Sequence, residues 1–159
     1  MTGRRWPSCS ASPVADVLLL DVNVLVGAQR NDDAPHSRTM RGWLEAALQG
    51  HEAVGVSELA LSAMVRIVTH PRVFEQPSKP SEALAFAEAL LAAPRAISVR
   101  PGARSWQIFA ELVAQHRLRG NDVPDAYYAA IALEQGATVV TADRGFGRFG
   151  ARTLDPTAE

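Results

Sequence analysis

Apolar residues recur along this chain in two rhythms, short unbroken runs and stripes spaced by three and four. Val17–Leu20 is an unbroken run, the pattern of a strand buried on both faces. The same apolar character resumes at Val24–Val26, with the carboxylate Asp21 between the two. The polar cluster Asn31 to Pro35 opens a helix in which Met40, Trp43, Leu44, Ala47 and Leu48 share one face, and Gly50 stops it. Ala53–Val56 reads as a second strand, and Ser57 caps a helix with Glu58 in its first turn. Leu61, Met64, Val65 and Val68 repeat at helical spacing there, as far as His70-Pro71.

The second half continues the alternation. Gln76 to Pro80 is a loop, and Ser81 is expected to cap an Ala- and Leu-rich helix ending at Ala92 or Ala93, before Pro94. Ile97–Val99 predicts a third strand. Trp106, Phe109, Ala110 and Val113 predict the inward face of the next helix, with Gly120 as its stop. Asn121 to Asp125 opens a helix with Pro124 near its first position, and Gly136 suits its C-terminal end. Ala137–Thr141 predicts a fourth strand, Asp143-Arg144-Gly145 a turn, and Arg152–Leu154 a short last strand. Strands alternating with amphipathic helices predict an α/β fold: one domain with a central parallel sheet of four or five strands flanked by helices.

Composition narrows this picture without redirecting it. A length of 159 residues suits a single domain. Met1 to Asp16, rich in Ser, Pro and small residues, predicts a disordered extension, leaving 17–156 as the folded domain. Sixteen basic and seventeen acidic residues nearly cancel, which excludes a broadly basic nucleic-acid surface but not a local one. The single cysteine, Cys9, allows no intrachain disulfide, and no apolar stretch reaches the ~20 residues of a membrane span. Arg4 and Arg5 lack the apolar stretch that follows in a signal peptide, so the expectation is a cytoplasmic protein with no membrane contact.

The candidate chemistry is a set of acids. A buried strand has no use for a carboxylate in its middle, but ligands of open α/β sheets bind outside the strand carboxyl ends. Asp21 follows the first strand, Glu58 the second and Asp143 the fourth, while Asp122 and Asp125 begin a helix. Each has an ordinary explanation, as a cap, a turn residue or a partner of a helix dipole. Together they do not: two carboxylates ~4 Å apart repel by roughly 4 kcal/mol at an effective dielectric near 20. A cation among them removes that cost. Oxygen-only ligation without spaced His or Cys favours Mg²⁺ or Mn²⁺ over Zn²⁺. The reaction such a site serves is metal-assisted hydrolysis of a phosphate ester. His36, His51, His70 and His116 show no ligand spacing, and the chain has neither a Gly-x-x-x-x-Gly-Lys loop nor a Gly-x-Ser-x-Gly elbow.

Three stretches resemble one family in its own order. Leu19-Leu20-Asp21-Val22-Asn23-Val24-Leu25 resembles the opening strand of PIN-domain ribonucleases. The run from Val123 to Ala132 is similar to that family's helix bearing a metal-binding Asp, and Thr138 to Phe149 to its closing strand and acidic turn. The nearest branch is the VapC toxins of type II toxin–antitoxin pairs. The resemblance implies a PIN-like fold and an endoribonuclease that slows translation. Asp21 and Asp125 would be the main Mg²⁺ ligands (Mn²⁺ a substitute), Asp143 would complete the site, and Asp122 would be a ligand or only a support for the helix start. It implies RNA as substrate, a VapB-type antitoxin as partner and a homodimer. Arg66, Arg119, Arg144 and Arg148 are candidates to hold the RNA backbone.

One position departs from the pattern. The family places an acid about six residues after a Ser like Ser57, and here that residue is Ala63. Glu58 is the acid available to fill the gap and joins the catalytic candidates on condition that its helix start faces the cleft. Val65 to Pro71, with Arg66, resembles a branch of VapC-like proteins, which makes the departure a branch feature. Two rivals stay open. One is an interaction domain that binds an antitoxin with little or no activity. The other is a phosphohydrolase forming an aspartyl-phosphate, which wants an acid two residues after its nucleophile, where Asn23 stands.

Overall fold

The computed structural model describes residues 16–32 and 34–158, so the expected disordered extension lies, but for Asp16, outside the described residues. The element order is β1 (Val17–Leu20), α1 (Val22–Arg30), α2 (Pro35–Gln49), β2 (Ala53–Val56), α3 (Glu58–Val68), α4 (Pro80–Leu91), β3 (Ala96–Ser98), α5 (Ser105–His116), α6 (Asp122–Gln135), β4 (Thr138–Val140), a 3₁₀ helix (Arg144–Phe149) and β5 (Arg152–Leu154). The strands form one five-stranded sheet in the order β3-β2-β1-β4-β5, all neighbours parallel. This is the expected α/β architecture. Among the described residues no helix is long and apolar enough to cross a membrane.

β1 is the centre of the sheet and of the core. Leu18, Leu19 and Leu20 are buried because helices cover both faces, with Val54, Val56, Val139 and Val140 beside them on neighbouring strands. Since every strand runs the same way, all carboxyl ends share one edge. Along that edge stand, in order, the residues that follow β3, β2, β1 and β4.

The structure differs from the pattern at several places. Val22–Arg30, to which the hydrophobic pattern assigned no element, is a helix. The chain passes from strand to helix at one residue: Asp21 is extended and its carboxylate accepts from the Val22 backbone N–H at 2.7 Å, capping α1. Buried Val24, Leu25 and Ala28 keep helical spacing despite the β-branched run. α4 begins at Pro80 rather than after a Ser81 cap. Pro80 fixes the first helical φ, and the Glu82 carboxylate accepts from the Lys79 N–H at 3.1 Å.

α5 is rotated by one position from the expected face. Ser105, Ile108, Phe109 and Leu112 turn inward, while Trp106 is 69% exposed. The rotation follows from an anchor to α6: the Ser105 hydroxyl donates to Glu134 and accepts from the Gly102 N–H at 3.1 Å. α5 ends at Arg117 in the left-handed region (φ 52°), three residues before Gly120. The third strand is Ala96–Ser98, one residue earlier than expected, although Val99 still donates to Val56 O at 2.9 Å. The expected Asp143 turn is the cap of the 3₁₀ helix.

Candidate active site

Asp21 stands just past β1 at the carboxyl edge, 8% exposed, and its backbone N–H donates to Val140 O at 3.0 Å. Its carboxylate is pinned on three sides. Oδ1 accepts from Val22 N–H, and Oδ2 accepts from the Asn23 amide at 3.0 Å and the Thr141 hydroxyl at 2.7 Å. Thr141 in turn accepts from Asn23 Nδ2 at 2.9 Å and from Asp143 N–H at 3.0 Å, and Asn23 Oδ1 accepts from Ala142 N–H at 3.2 Å. One buried hydroxyl therefore ties the end of β1 to the end of β4. Tyr128 of α6 adds a bond to Leu20 O, the carbonyl just before Asp21.

Asn23 and Thr141 are the residues of this site that sequence reasoning passed over. Their signal is positional only: Asn23 lies two residues after Asp21 and Thr141 two before Asp143. Neither position announces that the two side chains meet across 118 residues.

Asp125 reaches the same place from the first turn of α6. It shares a cavity of about 220 Å³ with Asp21, walled by Val22, Leu59, Ala60 and Tyr128. A second cavity, of about 390 Å³, is lined by Asp21, Asn23, Asp125 and Asp143. The electrostatics agree with the shapes. Burial first, then the charges of Asp21, Asp143 and Asp122, push the Asp125 carboxyl up to about 6, and Arg148 opposes them. Burial likewise raises the Asp21 carboxyl, against the bonds from Thr141 and Val22. The Tyr128 phenol is held well above its ordinary range by burial and by the Asp21 charge.

The sequence-derived acids thus divide. Asp21, Asp125 and Asp143 come together. Asp143 is exposed, and its Oδ1 accepts from Gly145 N–H at 2.8 Å, leaving Oδ2 free of the cap. Asp122, one turn before Asp125, faces outward to Arg148 at 3.0 Å. Glu58 does not join them. The first turn of α3 directs it away from Asp21, toward Arg100 at 3.4 Å, in a separate groove. Ala63, by contrast, lines the cavity with Asp21 and Asp125. The helix position where an acid was expected does face the site, and it carries a methyl group.

Among the described residues no three acidic, histidine or cysteine side chains form a ready metal cage. Magnesium does not require one. It keeps several waters and is commonly held by one or two carboxylates together with substrate phosphates. The donor set here is oxygen-only, and in a confined cavity burial and the Asp21 charge raise the cost of ionising Asp125. A hydrated divalent cation fits the chemistry of those two side chains, and Asp143 lines the adjoining cavity with them.

Comparison with known proteins matches residues 18–151 to the PIN domain. The chain is 45% identical over 133 residues to Ribonuclease VapC43 of Mycobacterium tuberculosis, covering 84% of this chain and 90% of that protein. It is 38% identical to Ribonuclease VapC31 of the same species, covering 84% and 93%. Among solved structures, VapBC2 from Rickettsia felis bound to a DNA fragment from their promoter aligns with a TM-score of 0.62 at 19% identity, covering 87% of this chain and 97% of that one. M. tuberculosis VapC20, a sarcin-ricin loop cleaving toxin, aligns at 0.61 with 18% identity, covering 84% and 95%.

Proposed function

The chain belongs to the PIN domain family, and from that premise we propose that it is a Mg²⁺-dependent endoribonuclease, the toxin of a VapBC-type pair. In this reading residues 17–156 are the catalytic domain. It acts in the cytoplasm as a homodimer, slows translation by cutting RNA, and is restrained by a VapB-type antitoxin. The observation that carries the proposal is the charge-coupled pair Asp21 and Asp125, set in one cavity at the carboxyl edge of the sheet. Relatives named as VapC ribonucleases point the same way.

Asp21 and Asp125 would hold the Mg²⁺, or Mn²⁺ in its place, and Asp143 would reach it through water. The ion, when bound, supplies charge neutralisation at the scissile phosphate and a water of lowered pKa. The chain's own part is placement. Asn23 and Thr141 lock the Asp21 carboxylate in one orientation, so no reorganisation is needed on binding. Leu59, Ala60 and Val22 give the cavity apolar walls, which strengthen the electrostatics inside it. Hydrolysis joins the water oxygen to phosphorus and breaks one P–O ester bond, and the leaving oxygen takes up a proton.

Asp21→Asn keeps the shape and most of the hydrogen bonds but removes a charge. It should lower Mg²⁺-dependent cleavage of RNA about 100-fold or more while the thermal midpoint stays within a few degrees. Cleavage at the wild-type rate would defeat the proposal.

Ala63 supports a second reading, an antitoxin-binding domain with weak catalysis, because the cavity lacks the acid expected there. Under that reading the wild-type chain cleaves RNA in Mg²⁺ weakly or not at all, and Ala63→Glu gains cleavage. The aspartyl-phosphate route has no such support. Asn23, in place of the needed second acid, binds Asp21 Oδ2.

A further inference from the structure

Beside the acid cavity lies a larger groove, of about 670 Å³, lined by Ser57, Glu58, Leu59, Ser62, Arg100 and Tyr127 among others. The two are neighbours: Leu59 and Tyr127 line both. Their order follows from the sheet. The acid cavity sits over β1, Glu58 follows β2, and Arg100 lies two residues past β3, so the groove extends the site along the same edge. Two strand spacings, about 10 Å, separate the ends of β1 and β3.

Three features suit this groove to one nucleotide. The first is a cation on a fixed base. Val99 is buried with its N–H on Val56 O at 2.9 Å, and Arg100 O accepts from Gln135 Nε2 at 2.6 Å, so the backbone is held while the Arg100 side chain is 73% exposed. The second is a braced aromatic wall. Tyr127 stands edge-on to Phe109 at 5.3 Å, and Phe109 packs on Trp106 at 5.3 Å. A base laid on such a ring gains stacking energy whatever its identity. The third is a loose partner for the cation. Glu58 and Arg100 meet through one 3.4 Å contact with both side chains exposed, a pair that contributes little and is readily exchanged.

We propose that this groove is an RNA subsite for the nucleotide next to the scissile phosphate. Its base rests on Tyr127, its phosphate takes the Arg100 guanidinium, and Glu58 is the internal competitor that the phosphate displaces. The inference rests on the ribonuclease reading and gives it a substrate class, an unpaired strand, because a base held in a duplex cannot lie on Tyr127. It also gives Glu58 a role opposite in sign to that of a metal ligand: removing its charge improves binding.

The test uses the full chain and a fluorescein-labelled, unstructured oligoribonucleotide, with binding measured in EDTA so that no cleavage intrudes. Arg100→Ala should weaken binding about tenfold or more and lower the salt dependence by about one phosphate contact, and Arg100→Lys should recover part of the loss. Glu58→Gln should tighten binding by about two- to fivefold. In Mg²⁺ the Arg100→Ala change should fall on KM, with kcat nearly kept. Weaker binding in Glu58→Gln, or unchanged binding in Arg100→Ala, overturns the subsite. So does a loss in Arg100→Ala confined to binding of an antitoxin peptide, which would make the groove a protein surface. Total RNA incubated with wild-type chain and Mg²⁺ separates the two levels. Cleavage with unaltered variants removes only the subsite, whereas no cleavage and no binding remove the ribonuclease reading itself.

Discussion

At the scale of single residues, Thr141 carries more than its size suggests. Its hydroxyl donates to Asp21 and accepts from Asn23 and from the Asp143 N–H, so one oxygen serves three groups that belong to two strand ends. Thr141→Val has the same shape without the oxygen. It leaves a buried carboxylate short of a donor, the Asp143 N–H without an acceptor and the Asn23 amide with Asp21 Oδ2 alone, at about 1–3 kcal/mol for a group left unsatisfied. The expected outcome is a thermal midpoint lowered by several degrees and RNA cleavage reduced at least tenfold, with Thr141→Ser restoring most of both. A Val variant as active as wild type would free Asp21 from this control. The acids themselves were legible in the sequence because each follows a strand or opens a helix. The direction of Glu58 was not, since each step along a helix turns a side chain by about 100°. The Asn23–Thr141 contact was not legible either, because it exists only once β1 and β4 pair.

At the scale of elements, the strands read almost to the residue. β1, β2 and β5 span the residues expected of them, β3 lies one residue earlier, and β4 is one residue shorter at each end. α1 escaped because Asp21 is at once the last residue at the strand edge and the cap of the helix, with no loop between. Val24–Val26 then resembles a continued strand, and only burial at helical spacing distinguishes it. The packing of β2 gives a prediction of its own. A methyl added at Gly55 would lie 2.9 Å from Val17 Cγ1 and 2.9 Å from Val99 Cγ2, side chains of the two flanking strand segments. Gly55→Ala should therefore cost about 1–3 kcal/mol in denaturant unfolding. It should also lower activity, because β1 and the end of β3 position Asp21 and Arg100. An unchanged unfolding midpoint would show that the sheet can spread at this point.

At the scale of the molecule, the parallel sheet turns a linear order of strands into a row of groups: Arg100, Glu58, Asp21, Asp143. That order was beyond the sequence, since strand succession along the chain does not give strand succession in the sheet. Asp125, which faces this row across the acid cavity beside Asp21, makes the metal-free protein sensitive to pH. The folded Asp125 carboxyl, at about 6, lies above the ordinary carboxylate range, so the folded state holds more protons than the unfolded one between about pH 4 and pH 6. Stability attributable to this group therefore falls as pH rises through that window, and above it the full penalty remains. A divalent cation binds the ionised form and offsets the penalty there. The measurement that reaches the central claim most directly is calorimetric titration of Mn²⁺ into wild-type chain, Asp21→Asn and Asp125→Asn, at about pH 7.5 and about pH 5, with folding checked by circular dichroism. The account predicts binding by the wild type at the higher pH, much weaker binding at the lower one, and loss of at least ~10-fold in affinity in either variant. Equal affinity in all three proteins at both pH values would contradict it.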